Sequence, residues 1–308
     1  TDFIDNSGGV DCSDHEVNMK ILLNQAVAMG DLTDKQRNIM LEEMTDDVAA
    51  LVLKNNYRQT QAISIASVGA ITRLEEYRRL MNTMESEGKL NRSLEFLPDD
   101  ETLSERKLDK KGLTRPELSV LISYVKGDLK QTLIDSSLPD EPLLAGEMYK
   151  VFPQDLTRKF SKELGEHQLR REIIATQIAN DMVNHMGITF VERLKQSTGA
   201  DAASIALAWI IARDVFRLDT WWDKVEYLDY FIPAKVQMDL MGDLMRLIRR
   251  AVRWLLRNRR AELGIQSHME RFADSVWKIT ADLPDYLGEQ ACADWKRSEE
   301  HTSELQSL

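Results

Sequence analysis

Helix breakers are scarce in this chain, and that constrains its fold more than any other feature. Its 308 residues include 14 glycines and 7 prolines, about one residue in fifteen where about one in eight is usual. A turn-rich β protein needs more breakers; long uninterrupted helices do not. Apolar residues also recur at three- and four-residue spacing behind strong start signals. Ser13-Asp14-His15-Glu16 reads as a capping box opening a helix to about Met29, with Gly30 as its stop. Thr33-Asp34-Lys35-Gln36 is a second box. It predicts a helix to about Lys54, halted at Asn55-Asn56, before a long helix from Gln59 to Glu87. Thr114-Arg115-Pro116-Glu117 is the clearest start, with proline in the first turn, and should run to about Asp135. Further helices are expected over Leu169–Met186 (ended by Gly187), from Asp201, from Pro233 to about Arg259, and over 267–281 and 286–296. No β-period segment follows Val10. The expected class is all-α, a dozen or so helices behind a short non-helical lead-in.

Composition narrows the function classes. A net charge of −11 argues against a general nucleic-acid binder and against an anionic membrane surface. With 43% hydrophobic and 30% charged residues, disorder is excluded. No apolar run approaches the roughly 18 residues of a membrane span, and no signal peptide opens the sequence. Cys12 and Cys292 match no metal or redox spacing, so a cytoplasmic, reducing setting is expected, with no metal site. Residues 297–308 are polar without an apolar face and resemble a translated adaptor, so they are set aside from the fold. The chain starts at Thr1 and runs at once into a Gly-rich segment, which suggests truncation there too.

That segment, Phe3-Ile4-Asp5-Asn6-Ser7-Gly8-Gly9-Val10-Asp11-Cys12-Ser13, is the most informative one. An apolar stub, a Gly-Gly turn and a helix start together form a geometry that receives an anion or carboxylate. An ordinary corner capped by Ser13 explains the same residues. His15 and Glu16 adjoin it, either as an acid–base pair or as a surface histidine beside a capping glutamate. His167 and His185 lack metal-ligand spacing and read as structural. Arg246, Arg249, Arg250, Arg253, Arg257, Arg259 and Arg260 form a cationic stripe, which is either a phosphate track or a solvated face paired with carboxylates. Trp209, Trp221, Trp222, Trp254, Trp277 and Trp295 read as helix-packing residues.

Several blocks carry a resemblance. Asn6-Ser7-Gly8-Gly9-Val10 followed by Asp11 to Asn18, then Gly112 to Leu121, Leu169 to Asn180 and Arg253 to Asn258, are similar to the large bacterial NAD-specific glutamate dehydrogenases, in family order. The resemblance implies a C-terminal fragment of such an enzyme. Residues 1–13 would be the end of a Rossmann-type catalytic domain, 14–90 a helical segment packing on it, 91–296 a C-terminal helical domain, and 297–308 a non-native tail. It implies conversion of L-glutamate, NAD and water to 2-oxoglutarate, ammonium and NADH in the intact homo-oligomer. It places Asn6 near the nicotinamide and Val10 and Ser13 on the substrate. The catalytic lysine and aspartate and the dinucleotide glycine motif are absent, so the fragment is expected to carry no catalytic residue and to serve as a scaffold. Two rivals remain: an autonomous helical interaction module, and a nucleic-acid binder using the arginine stripe.

Overall fold

The structure, a computed structural model, describes residues 2–259 and 263–282, with side chains from Ser7 onward. The expected helix over 286–296, Cys292, Trp295, Arg260 and the tail 297–308 lie outside the described residues. Among those described, every regular element is a helix. In chain order they are α1 (Asp2–Met29), α2 (Asp34–Glu43), α3 (Thr45–Val68), α4 (Leu74–Ser86), α5 (Asp100–Leu108) and α6 (Arg115–Ile134). Two 3-10 stretches, Leu138–Asp140 and Pro142–Lys150, lead to α7 (Gln154–Lys159), α8 (Ser161–Gly165), α9 (Arg170–Met186) and α10 (Phe190–Thr198). The series ends with α11 (Ala202–Val215), α12 (Leu218–Glu226), α13 (Ala234–Asn258) and α14 (Ile265–Ala281). The all-α class is therefore as the sequence predicts.

The local start signals hold where they depend on neighbours alone. Thr33 accepts from the Gln36 amide while Gln36 reaches back to the Thr33 amide, and Thr114 and Glu117 repeat the exchange. Asp201 accepts from the Ser204 amide at 2.8 Å at the head of α11. Gly30, Gly88 and Gly187 close helices with positive φ, which a side chain would resist.

Three expectations need correction. The lead-in is not a turn: α1 is helical from Asp2, through Gly8 and Gly9, so Ser13 sits mid-helix and caps nothing. The reason is tertiary. Ser7 Oγ accepts from Gln59 Nε2 at 3.3 Å, and Asp11 Oδ2 accepts from Asn55 Nδ2 at 2.8 Å, tying α1 to α3. Two helical glycines cost about 1 kcal/mol each, less than the packing of a long helix against a neighbour returns. Second, Asn55-Asn56 is no stop, because Asn55 is bonded to α1 and Asn56 Nδ2 donates to the Val52 carbonyl within α3. Third, the two helices expected over 34–54 and 59–87 are three. They are parted at Met44, which is buried, and at Gly69–Arg73, where Ala70 lies hard against Gly112.

The described residues divide into two units. The larger holds residues 2–207 with 253–259, and its centre is the pairing of α6 and α9. Leu118, Leu121, Ile122, Val125, Leu129 and Leu133 line one buried face of α6. Ile174, Ile178, Met182 and Val183 do the same on α9. α1 and α3 pack together, and α3 packs on both α6 and α9. The smaller unit holds residues 208–252 with 263–282. Trp209 and Trp222 are fully buried there with Met241, Ile248 and Val252. Trp277 donates through Nε1 to the Val215 carbonyl at 2.9 Å, with the Arg217 guanidinium 3.8 Å above its ring. Trp209 and Trp222 are thus the packing residues that the sequence suggested. Trp254 is an exception, 46% exposed.

Candidate functional site

The sequence-based site residues Asn6, Val10 and Ser13 all fall on α1, at i, i+4 and i+7, along one face of the helix. Asn6 is on this helix, but its side chain lies outside the described ones. Val10 is 52% exposed and Ser13 is exposed as well. No hydrogen bond or ion pair engages the Ser13 side chain among the described residues, so its hydroxyl is free to meet a ligand or another polypeptide. Gly9 has open space around it and Gly8 faces Asn56.

A different face of the same helix builds a cavity. Asp11, Asp14, His15 and Asn18 stand at i, i+3, i+4 and i+7, one stripe of α1. Across from them, Leu169 at the head of α9 and Glu172, Ile173, Thr176, Gln177 and Asn180 along it form a second stripe at the same period. Asn55 of α3, Lys150 and Val151 complete the wall around about 190 Å³. All of these residues belong to the larger unit. Sequence reasoning missed the cavity because polar residues at helical spacing look the same whether they face solvent or each other.

His15, for which the sequence offered a surface position, is instead 4% exposed, and neither ring nitrogen has a hydrogen-bond partner. Its Nε2 lies 3.7 Å from Asp11 Oδ1. Glu16 pairs with Lys20, so His15 and Glu16 form no acid–base couple. His167 is structural: it stacks edge-on against Phe152, contacts the Asn18 carbonyl through Nε2 at 3.1 Å, and accepts from the Leu169 amide at Nδ1. The acceptor role of Nδ1 fixes the proton on Nε2. Desolvation lowers the pKa of this ring, so it stays neutral.

Behind the cavity runs a polar chain. Lys126 of α6 donates to Gln59 Oε1 at 2.9 Å, and Gln59 in turn donates to Ser7. Desolvation brings the Lys126 ammonium down to about 7, against the pull of Asp181 and Asp11. Desolvation also raises the Asp11 carboxyl above its usual range, opposed by the bond from Asn55. Lys150 lies 3.1 Å from Glu147 and 3.5 Å from Asp181. Among the described residues no group of three or more His, Cys, Asp or Glu is placed to hold a metal ion. No described helix is long and apolar enough to cross a membrane.

The arginine stripe is in part an internal bonding face. Arg246 pairs with Asp243 on its own helix, and Arg257 donates to the Ser197 carbonyl.

Comparison with known proteins decides the lineage. Residues 110–306 match the family model described as glutamate dehydrogenase, C-terminal, which is more than half of the chain. The chain belongs to the glutamate dehydrogenase C-terminal family. Residues 1–66 of this glutamate dehydrogenase segment also match the model described as bacterial NAD-glutamate dehydrogenase, catalytic domain. It is 56% identical over 287 residues to the NAD-specific glutamate dehydrogenase of Pseudomonas aeruginosa, covering 93% of the chain. The enzyme of the same name from Halomonas elongata is 48% identical over 96% of the chain, and that of Mycobacterium tuberculosis 35% over 93%. The chain spans 18% of the length of each of these relatives.

Proposed function

We propose that this chain works as part of an NAD-dependent glutamate dehydrogenase that converts L-glutamate and water to 2-oxoglutarate and ammonium while reducing NAD. One observation carries this reading. The stretch similar to the catalytic domain and the stretch similar to the C-terminal region follow each other in one chain, and α3 of the first packs on α6 and α9 of the second. The two stretches thus share a core, and the helical body acts as the scaffold that holds the α1 surface in place.

The described residues do not suit a dinucleotide. They contain no strand, and Gly8 and Gly9 lie within a helix rather than in a phosphate-cradling turn. On the family resemblance, NAD binding, the catalytic lysine and the catalytic aspartate are assigned to the sequence by which the relatives exceed this chain. The 308 residues alone are expected to be inactive. In the intact enzyme, a cytoplasmic homo-oligomer on this reading, Ser13 donates its hydroxyl to the side-chain carboxylate of glutamate, Val10 packs beside it, and Asn6 borders the nicotinamide.

NADH formation from glutamate tests the assignment. The isolated chain should give none, and the Pseudomonas aeruginosa relative should lose its activity when the matching 287 residues are deleted. Turnover by the isolated chain, or an unimpaired deletion variant, would refute it.

A further inference from the structure

We propose that the cavity between α1, α3 and α9 binds a small organic cation, an ammonium group on a short alkyl chain. This stands apart from the dehydrogenase reading, since it rests on the cavity alone. Three carboxylates line it: Asp11, Asp14 and Glu172. The lysine in the wall, Lys150, lies within ion-pair reach of Glu147 and Asp181, so its charge is already balanced by carboxylates and leaves the field of the cavity negative. An anion would meet three carboxylates here; a cation is drawn in.

His15 is the second, independent pointer. It is buried in the wall with no hydrogen bond at either ring nitrogen and only the 3.7 Å approach of Nε2 to Asp11 Oδ1, a state that costs free energy until a hydrogen-bond partner arrives. An ammonium supplies N–H donors and no acceptor, which suits the three carboxylates and a ring nitrogen that carries no proton. Asp11, whose carboxyl desolvation holds above its usual range despite Asn55, His15 and Lys126, gains a further charge partner when a cation sits beside it.

Size and lining select an organic cation over a metal ion. No metal-holding cluster is present among the described residues, and about 190 Å³ is far more than a bare ion fills. Val151, Leu169 and Ile173 offer apolar wall for methylene groups, in the usual mixture of apolar lining and a few convergent polar groups.

The test is isothermal titration of the 308-residue chain with 1,4-diaminobutane at constant ionic strength. 1,4-Butanediol serves as the neutral isostere and succinate as the anionic one. The diamine should bind saturably, while the diol and succinate should not. Asp14→Asn combined with Glu172→Gln should weaken diamine binding at least tenfold. Both side chains are exposed, so the melting temperature without ligand should stay unchanged. No saturable diamine binding, equal binding of the diol, tighter binding of succinate, or undiminished affinity in a folded double variant would each overturn the proposal.

Discussion

Replacing the two glycines of α1 separates the helix from the turn that its sequence suggests. Both lie inside Asp2–Met29, and neither has a positive φ. A Cβ at Gly9 meets nothing within 4 Å, and one at Gly8 lies 3.4 Å from Asn56 Nδ2, the movable end of a side chain. Alanine is favoured over glycine in a helix interior by about 1 kcal/mol. Gly9→Ala should therefore stabilise α1 by about 1 kcal/mol, and Gly8→Ala by slightly less because Asn56 must adjust. The double substitution should come to about 1.5 kcal/mol, roughly a tenfold change in the local opening equilibrium. Hydrogen exchange by mass spectrometry on peptides covering residues 7–20 reads that opening directly. Exchange there should slow about tenfold. In a turn with positive φ, alanine would instead cost more than it returns. Faster exchange in the double variant would refute the continuous helix and restore the Gly-Gly turn.

Further predictions address other levels. Gly112→Ala would place a Cβ 2.6 Å from the Ala70 carbonyl carbon, so urea unfolding should show a loss of about 1–3 kcal/mol; a neutral variant would refute the close approach. Thr114→Ala removes the cap of α6 and should cost about 1 kcal/mol in the same assay. Lys126 loses its proton near 7 in the folded chain but keeps it to its ordinary value of 10.5 when unfolded. Between those values the unfolded state binds more protons, so stability should rise with pH by up to about 1.4 kcal/mol per unit, and Lys126→Met should flatten that slope. An unchanged slope would count against a desolvated ammonium. In the intact enzyme, Ser13→Ala should raise the KM for glutamate by about tenfold or more, the worth of a bond to a charged group. Unaltered glutamate kinetics would remove Ser13 from the substrate site.

What was legible in the amino-acid order is what local chemistry decides. The all-α class follows from scarce breakers and helical periodicity. The Thr33 and Thr114 boxes and the Asp201 cap close within three residues, so no distant contact is needed to form them. The paths of α1 through Gly8-Gly9 and of α3 through Asn55-Asn56 were set by tertiary structure. There the bonds Gln59–Ser7 and Asn55–Asp11 override weak local preferences. The cavity is tertiary throughout. Its two polar stripes lie more than 150 residues apart, and each alone is indistinguishable from a solvated face. His15 likewise shows its burial only once α1 is packed. A hydrogen bond across three residues forms wherever its sequence occurs. A wall made by two distant helices exists only after the chain has brought them together.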